Sequence, residues 1–372
     1  VKVALVHDVL INSGGAERVA AVFAEIFPDA PVFTGAYHPE KTFSIFGRRE
    51  IFTTFLQRLP HNERLVKLLF PLAIPHVEAF DFRGFDLVLS SSTFLAKGII
   101  TPPETCHVCY MHNIFRLLWL RGAYETGGGK HSVRRHGFLA PLRLWDVAAS
   151  RRPDFLITNS RVTRQRIRKF YRREPEVLHP PVDTSLFQIS PFQDDFFLVV
   201  SRLEPYKRVD IAIGAFNRLG HRLVVVGEGS MRTELEKQAN RNIEFLGLVT
   251  DELLTELYGK CHALIFPQEE DFGLVPLEAQ ASGRPVIAYG AGGVLETVTE
   301  DTGVFFPSQT KDALIEAVVE FRKRFFDPEK IRGHALQFDK KRFREKLLLS
   351  LERHFAAFTG KDAVPPEVLT PS

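Results

Sequence analysis

Residues 267–298, PQEEDFGLVPLEAQASGRPVIAYGAGGVLETV, limit what this chain can fold into more than any other stretch. The apolar run at 262–266, just before it, has the length and residue types of a buried strand. A polar, acidic turn around Phe272-Gly273 follows. Residues 276–282 have helical spacing, with Gly283 as a stop signal and Pro285 just beyond. A second apolar run at 285–289 leads into Gly-Ala-Gly-Gly at 290–293. Strand, loop, helix, strand, glycine-rich loop and helix, in that order, make up part of an open α/β sheet. Such sheets bind ligands at the carboxyl ends of their strands.

The residues of this stretch point to one kind of ligand. Glu270 lies in the loop and Glu278 on the helix after it, so both can face one molecule without sharing a helix face. Gly273 between them allows the backbone a close approach. The N–H groups of Leu274 and Val275 open a helix N-terminus, which suits an anion such as phosphate. Carboxylates touching a phosphate would repel it, but they accept well from sugar hydroxyls. The stretch therefore reads as a site for a ligand with phosphate and polyhydroxy parts. The bland alternative is a capped helix with exposed acids.

The run from Glu270 to Glu278, EDFGLVPLE, resembles the E-x7-E signature of the family 4 retaining glycosyltransferases. The similarity continues through AQASGRPVIA at 279–288 and through Gly292, Gly293 and Glu296. Within the family, the bacterial O-antigen and capsule mannosyltransferases are most similar. The resemblance implies an α/β chain with the GT-B fold, two Rossmann-like domains whose parallel sheets face a central cleft. It implies catalytic roles for His112, Glu270, Arg202 and Lys207. It also implies a donor site of Gly14, Gly15, Arg202, Lys207, Glu270, Phe272, Gly273, Leu274, Val275 and Glu278. Asp271 departs from the family's usual glycine, and the string after Asn113 differs from the common mannosyltransferase one; both bear on sugar specificity.

A length of 372 residues favours two domains. No run of about eighteen apolar residues exists to span a membrane, and no signal peptide is expected, because residues 1–6 already alternate like a first strand. Three cysteines suit a reducing compartment. Cys106 and Cys109 have C-x-x-C spacing but lie in an apolar run without a second pair, which favours strand residues over a zinc site. The net charge of +3 hides an uneven distribution. Residues 116–173 hold 15 Lys/Arg against Glu125, Asp146 and Asp154, about +12, which leaves about −9 for the rest. Such a segment fits an anionic lipid surface, a pyrophosphate-bearing acceptor or nucleic acid, or simply solvated helix faces.

Taken in order, residues 1–7 read as a strand, 8–15 as a loop ending Ser-Gly-Gly, and 16–27 as a helix. A glycine loop opening a helix suits phosphate approach, but G-x-G-x-x-G is absent, which argues against a dehydrogenase. The string SGGAERV also resembles the family's N-terminal loop, where paired glycines lie over the donor diphosphate. Residues 41–82 are rich in Phe, Leu and Arg and read either as core helices or as an amphipathic, bilayer-touching surface. Strands are expected at 85–92, at 106–113 and, last in this half, at 154–160. His112 ends the second of these, and the resemblance implies that it contacts the donor sugar. His107 reads as structural. Ser160 is placed to cap a basic helix at 161–173.

The aperiodic, proline-rich stretch 179–195 reads as the linker. A strand at 196–203 restarts the pattern, and Arg202 and Lys207 at its end are spaced to clamp a diphosphate and steady it as it leaves. Strands at 222–229 and 243–247, a helix at 251–260, a strand at 302–306 and helices at 311–325 and 340–358 complete the expectation. The domains expected are 1–183 for the acceptor, 184–340 for the donor, a helix at 341–360 that by resemblance crosses back, and a disordered tail at 361–372.

The expected function is a retaining hexosyltransferase of surface-polysaccharide synthesis. It needs no cofactor and no metal, since no Asp-x-Asp motif is present. GDP-mannose is the favoured donor and a UDP-hexose the second. The acceptor is a glycan or polyprenyl-diphosphate-linked sugar, reached by peripheral contact with the anionic inner face of the cytoplasmic membrane. No acceptor-binding residue is identified, and nucleic acid is not expected as a partner. The rivals are a UDP-sugar 2-epimerase of the same fold, a catalytically dead nucleotide-sugar-binding subunit, and a basic nucleic-acid-binding protein.

Overall fold

A computed structural model describes residues 1–58, 63–120 and 133–360. The first half runs β1 (Val3–His7), α1 (Gly15–Ile26), β2 (Val32–Thr34), β3 (Ile51–Thr53), α2 (Glu63–Glu78), β4 (Leu87–Ser92), β5 (Cys106–Met111), α3 (Arg116–Trp119), α4 (Val133–Ala149), β6 (Phe155–Thr158), α5 (Arg161–Tyr171) and β7 (Glu176–Val177). The second half runs β8 (Phe197–Val200), α6 (Val209–Leu219), β9 (Leu223–Val226), α7 (Arg232–Gln238), β10 (Ile243–Gly247), α8 (Asp251–Lys260), β11 (Ala263–Phe266), α9 (Leu274–Ala281), β12 (Val286–Tyr289), α10 (Val294–Thr297), β13 (Gly303–Phe306), α11 (Lys311–Phe321), α12 (Pro328–Ala335) and α13 (Lys340–Thr359).

These elements form two compact units, Val1–Pro181 with the C-terminal helix from Lys341, and Val182–Lys340. Each is built on one parallel sheet. The first has seven strands in the order β3-β2-β1-β4-β5-β6-β7, the second six in the order β10-β9-β8-β11-β12-β13. Both sheets are covered on two faces, which is why their central strands are mostly apolar rather than alternating. In the first unit Val3 and Leu5 point to the face covered by α1 and by Phe343, Leu347, Leu351 and Phe355 of α13. Ala4 and Val6 point to the other face, with Ala73 and Val77 of α2. In the second unit α6 and α11 cover one face, and α8, α9 and α12 the other.

Both sheets reverse strand order at one place, between β1 and β4 and between β8 and β11. The chain leaves adjacent strands in opposite directions there, opening the crevice in which α/β proteins take ligands.

Several expectations need adjustment. The strand at 154–160 is not the last of its sheet, because the short β7 pairs beside it, Ile157 opposite Glu176. Two residues are too short for a periodicity to register. Residues 41–82 hold the edge strand β3 as well as helix, and Phe46, Leu56, Ala73, Val77 and Phe82 are buried. Phe33 packs against Phe80 and the buried Phe82 of this stretch and against Phe85 beyond it, while Phe52, stacked on Phe33, stays 40% exposed. Ser160 caps α5 by accepting from the Thr163 N–H. The 361–372 tail and residues 121–132 of the basic segment lie outside the described residues.

Cys106 and Cys109 cannot share a metal. An i, i+3 spacing on a strand puts them on opposite faces of the sheet, in separate clusters. All three cysteines are free, and burial pushes their thiols up to about 12. No cluster of His, Cys, Asp and Glu fit for a metal occurs among the described residues, and none of their helices is long and apolar enough to cross a membrane.

Candidate functional site

In the second unit the loops leaving β8, β9, β11 and β12 mesh through their main chains. Leu203 N–H donates to the Glu228 carbonyl and Met231 N–H returns to Leu203. Gly227 (φ 130°) sits where a Cβ would strike the Ser201 carbonyl. The Gly293 N–H donates to the Glu270 carbonyl at 2.8 Å, and Glu270 pairs in a bridge with Gly292. A Cβ at Gly293 would strike Asp271 and Phe272. The glycines of 290–293 therefore serve first to let one loop lie on the other, and this fixes the 270–273 loop.

That loop carries Glu270 to the β8/β11 switch point. Lys207 reaches it from the 3-10 turn Pro205–Lys207, and its Nζ bonds directly to the Glu270 carboxylate. Arg208 closes the turn in the left-handed region at φ 52°. Arg202 donates to the Tyr206 hydroxyl at 2.8 Å, and Lys207 lies over the Tyr206 ring. Arg202, Lys207 and Glu270 thus surround one crevice mouth.

Helix α9 opens at Leu274 rather than at Pro276, with Gly273 before it at φ 96° and no side-chain cap. Pro276 falls within the first turn, where its missing N–H costs nothing. The Leu274 and Val275 N–H groups belong to this opening turn. The Phe272 ring is buried in the core, 5.9 Å from Phe338, so what this residue can offer a ligand is main chain. Glu278 is only 7% exposed and accepts from the Tyr258 hydroxyl at 2.8 Å. Tyr258 comes from α8 and was not foreseen, since nothing in its local pattern separates it from a core aromatic.

The first unit has its own polar cluster at the β1/β4 switch point. Gly14 precedes α1, and a Cβ there would come within 2.7 Å of a Glu17 oxygen; Gly15 is the first helical residue. Asp8 accepts from Ser92 and from the N–H groups of Thr93, Phe94, Leu95 and Ala96, so the loop after β4 is wrapped around the carboxylate that follows β1. His112, at the end of β5, bonds through Nε2 to Ser91 at 2.8 Å, and Ser91 bonds to His7 Nδ1 at 3.0 Å. Burial, with His7 nearby, pushes the His112 pKa down to about 3, so the ring is neutral at pH 7. His107 is buried against Ser90 and likewise pushed down to about 3, chiefly by burial. His7, Ser91 and Glu17 were missed, although His7 ends a strand just as His112 does.

What the arrangement can do chemically is bind. One crevice offers two cations, a carboxylate and open helix N–H groups, a set that suits a diphosphate joined to a polyol.

Residues 184–325 match the family model described as glycosyl transferases group 1. The D-inositol 3-phosphate glycosyltransferase of Acidothermus cellulolyticus is 30% identical over 327 residues, 76% of this chain and 71% of that protein. The O-antigen chain mannosyltransferase C of Escherichia coli is 31% identical over 136 residues, 34% of this chain and 37% of the relative. The chain thus spans little more than a third of the first curated relatives it matches, 37%, 35% and 35% of their lengths. Among solved structures, HepE of Anabaena in complex with UDP is similar at a TM-score of 0.68 and 19% identity, covering 95% of this chain and all of that one. The fold is therefore GT-B, and the chain belongs to the group 1 glycosyltransferases, related to bacterial mannosyltransferases.

Proposed function

We propose that the protein transfers a hexose from a nucleotide sugar to a lipid-linked or oligosaccharide acceptor in surface-polysaccharide synthesis, with retention and without a metal. The observation that carries this reading is the meeting of Lys207 and Glu270 at the β8/β11 switch point, beside the opening of α9. A diphosphate takes Lys207, Arg202 and the helix N–H groups, which leaves Glu270 to accept from the hydroxyls of the attached sugar. The Glu278 carboxylate holds the ribose, steadied by Tyr258. His112 contacts the sugar near the reacting carbon. Charge grows on the leaving diphosphate in the transition state, where the two cations act most strongly. Retention proceeds by attack on the face the diphosphate leaves, with that phosphate accepting the acceptor's proton.

Mannose from GDP-mannose is favoured by the likeness to an O-antigen mannosyltransferase. A UDP-hexose is the second reading, favoured by the UDP held by HepE. The exposed cations of α5, Arg161, Arg168 and Lys169, with Arg172 after it, suit peripheral contact with an anionic cytoplasmic membrane face. The test is an incubation in EDTA with each donor and a polyprenyl-diphosphate-linked glycan, the product's anomeric configuration read by NMR. Transfer with retention supports the proposal. Conversion of a UDP-sugar without acceptor would point to the epimerase, and inversion or a strict metal requirement would overturn the mechanism.

A further inference from the structure

A chain of side chains runs through the first unit to His112. The Asn12 amide, turned with its nitrogen toward Glu17, donates to both carboxylate oxygens, at 2.6 and 3.1 Å. Glu17 Oε1 lies 3.7 Å from His7 Nε2. His7 Nδ1 meets Ser91 Oγ at 3.0 Å, and Ser91 Oγ meets His112 Nε2 at 2.8 Å. His7, Glu17 and Ser91 are 4%, 8% and 0% exposed, so water does not easily substitute for these partners. Asp8 does not compete, because its carboxylate is taken by the loop after β4.

The direction of the hydrogen bonds follows from counting protons. A serine hydroxyl has one, so Ser91 donates to one ring and accepts from the other. With the His7 ring neutral, the Glu17 carboxylate favours the tautomer with its proton on the facing Nε2. His7 Nδ1 is then a lone pair and takes the Ser91 proton. Ser91 Oγ in turn accepts from His112 Nε2–H. His112 Nδ1 is left as a lone pair, and it has no hydrogen-bond partner among the described residues.

We propose that Glu17, His7 and Ser91 are positioning residues that lock His112 in its Nε2–H tautomer, so that Nδ1 presents an acceptor to a hydroxyl of the substrate. The substrate's identity as a sugar rests on the proposed function; the tautomer does not. The neutrality of His112 at pH 7 is consistent with it. With the reverse direction, His112 would present a donor and could not accept from a sugar hydroxyl.

The test uses the full chain labelled with 15N-histidine, His112 being assigned by loss of its signals in His112→Gln. At pH 7.5 the wild-type ring should carry its proton on Nε2 alone. In Glu17→Gln and Ser91→Ala the two tautomers should mix. Glu17→Gln should also lower kcat about tenfold with donor KM little changed, as expected when an interaction made only in the transition state is lost. A wild-type His112 protonated on Nδ1 would overturn the proposal. So would a tautomer unchanged in both variants, or full kcat in Glu17→Gln with the tautomers mixed. Should Ser91→Ala fold poorly, wild type and Glu17→Gln suffice. A locked tautomer in a chain that transfers no sugar would instead count against the proposed function.

Discussion

Lys207 and Glu270, 63 positions apart in the chain, hold each other at the carboxyl ends of β8 and β11. Their side chains are 11% and 30% exposed, so the pair is partly wet and contributes on the order of 1 kcal/mol. Charge-assisted hydrogen bonds to a diphosphate are worth about 1.5–3 kcal/mol each. Under the proposed function a donor therefore opens the pair at modest cost, taking Lys207 with its phosphates and Glu270 with its sugar.

Glu270→Gln separates these roles. The amide no longer competes for Lys207, so a nucleoside diphosphate without sugar should bind as well as to wild type or better. Transfer should fall at least about tenfold, roughly 1.4 kcal/mol of barrier. Lys207→Ala should weaken both. Calorimetric titration beside steady-state kinetics reads the contrast, and equal losses of both in Glu270→Gln would contradict it.

Tyr258→Phe should destabilise the second unit by about 1–3 kcal/mol, because a buried carboxylate loses a hydrogen bond. Urea unfolding measures this. Nucleotide affinity should fall with it if Glu278 holds the ribose, while a variant with stability reduced and affinity intact would make the Tyr258–Glu278 contact purely structural.

Gly293→Ala places a methyl group against Asp271 and Phe272, and overpacking of this kind costs about 1–3 kcal/mol. The 270–273 loop should shift and donor affinity fall. Gly333→Ala is the control: its Cβ would meet nothing within 4 Å, and it lies inside α12, where Ala gains about 0.5–1 kcal/mol over Gly. Melting curves with and without nucleotide should move in opposite senses for the two variants.

The parts legible in the sequence are those whose cause is local. The apolar run before Pro267, the glycine stop at 283 and the Ser160 cap each act within a few residues, and the elements form there. The Glu270 loop was legible because glycines and acids follow a strand. Its pairing with Lys207 was not, because a contact across 63 residues depends on which strands become neighbours. The same holds for Tyr258 beneath Glu278 and for Ser91 between two histidines. Phe272 has both kinds of cause: its place in the motif marks it for the site, while packing against Phe338 claims the ring.

The two neutral histidines set an acid limit on stability. His107 and His112 are pushed down to about 3 in the folded chain. Once unfolded, each binds a proton near pH 6.5. Below that pH the unfolded state therefore holds more protons, and stability falls by about 1.4 kcal/mol per pH unit for each ring, down to about pH 3. The contribution is fully present above pH 6.5. Unfolding by urea at pH 7.5 and 5.5 should show the loss, and His107→Gln should reduce the slope. A stability unchanged between the two values would contradict the neutral rings.

The most direct test of the central claim, a nucleotide-sugar site at the β8/β11 crevice, is a thermal-shift measurement in EDTA with GDP, UDP, GDP-mannose and UDP-glucose. Ligand at 100 times its dissociation constant adds about 2.7 kcal/mol, which a melting curve resolves. The account predicts a shift with guanine nucleotides, or with uracil nucleotides under the second reading, that Lys207→Ala abolishes. No shift with any of the four, or a shift that Lys207→Ala leaves intact, would contradict it.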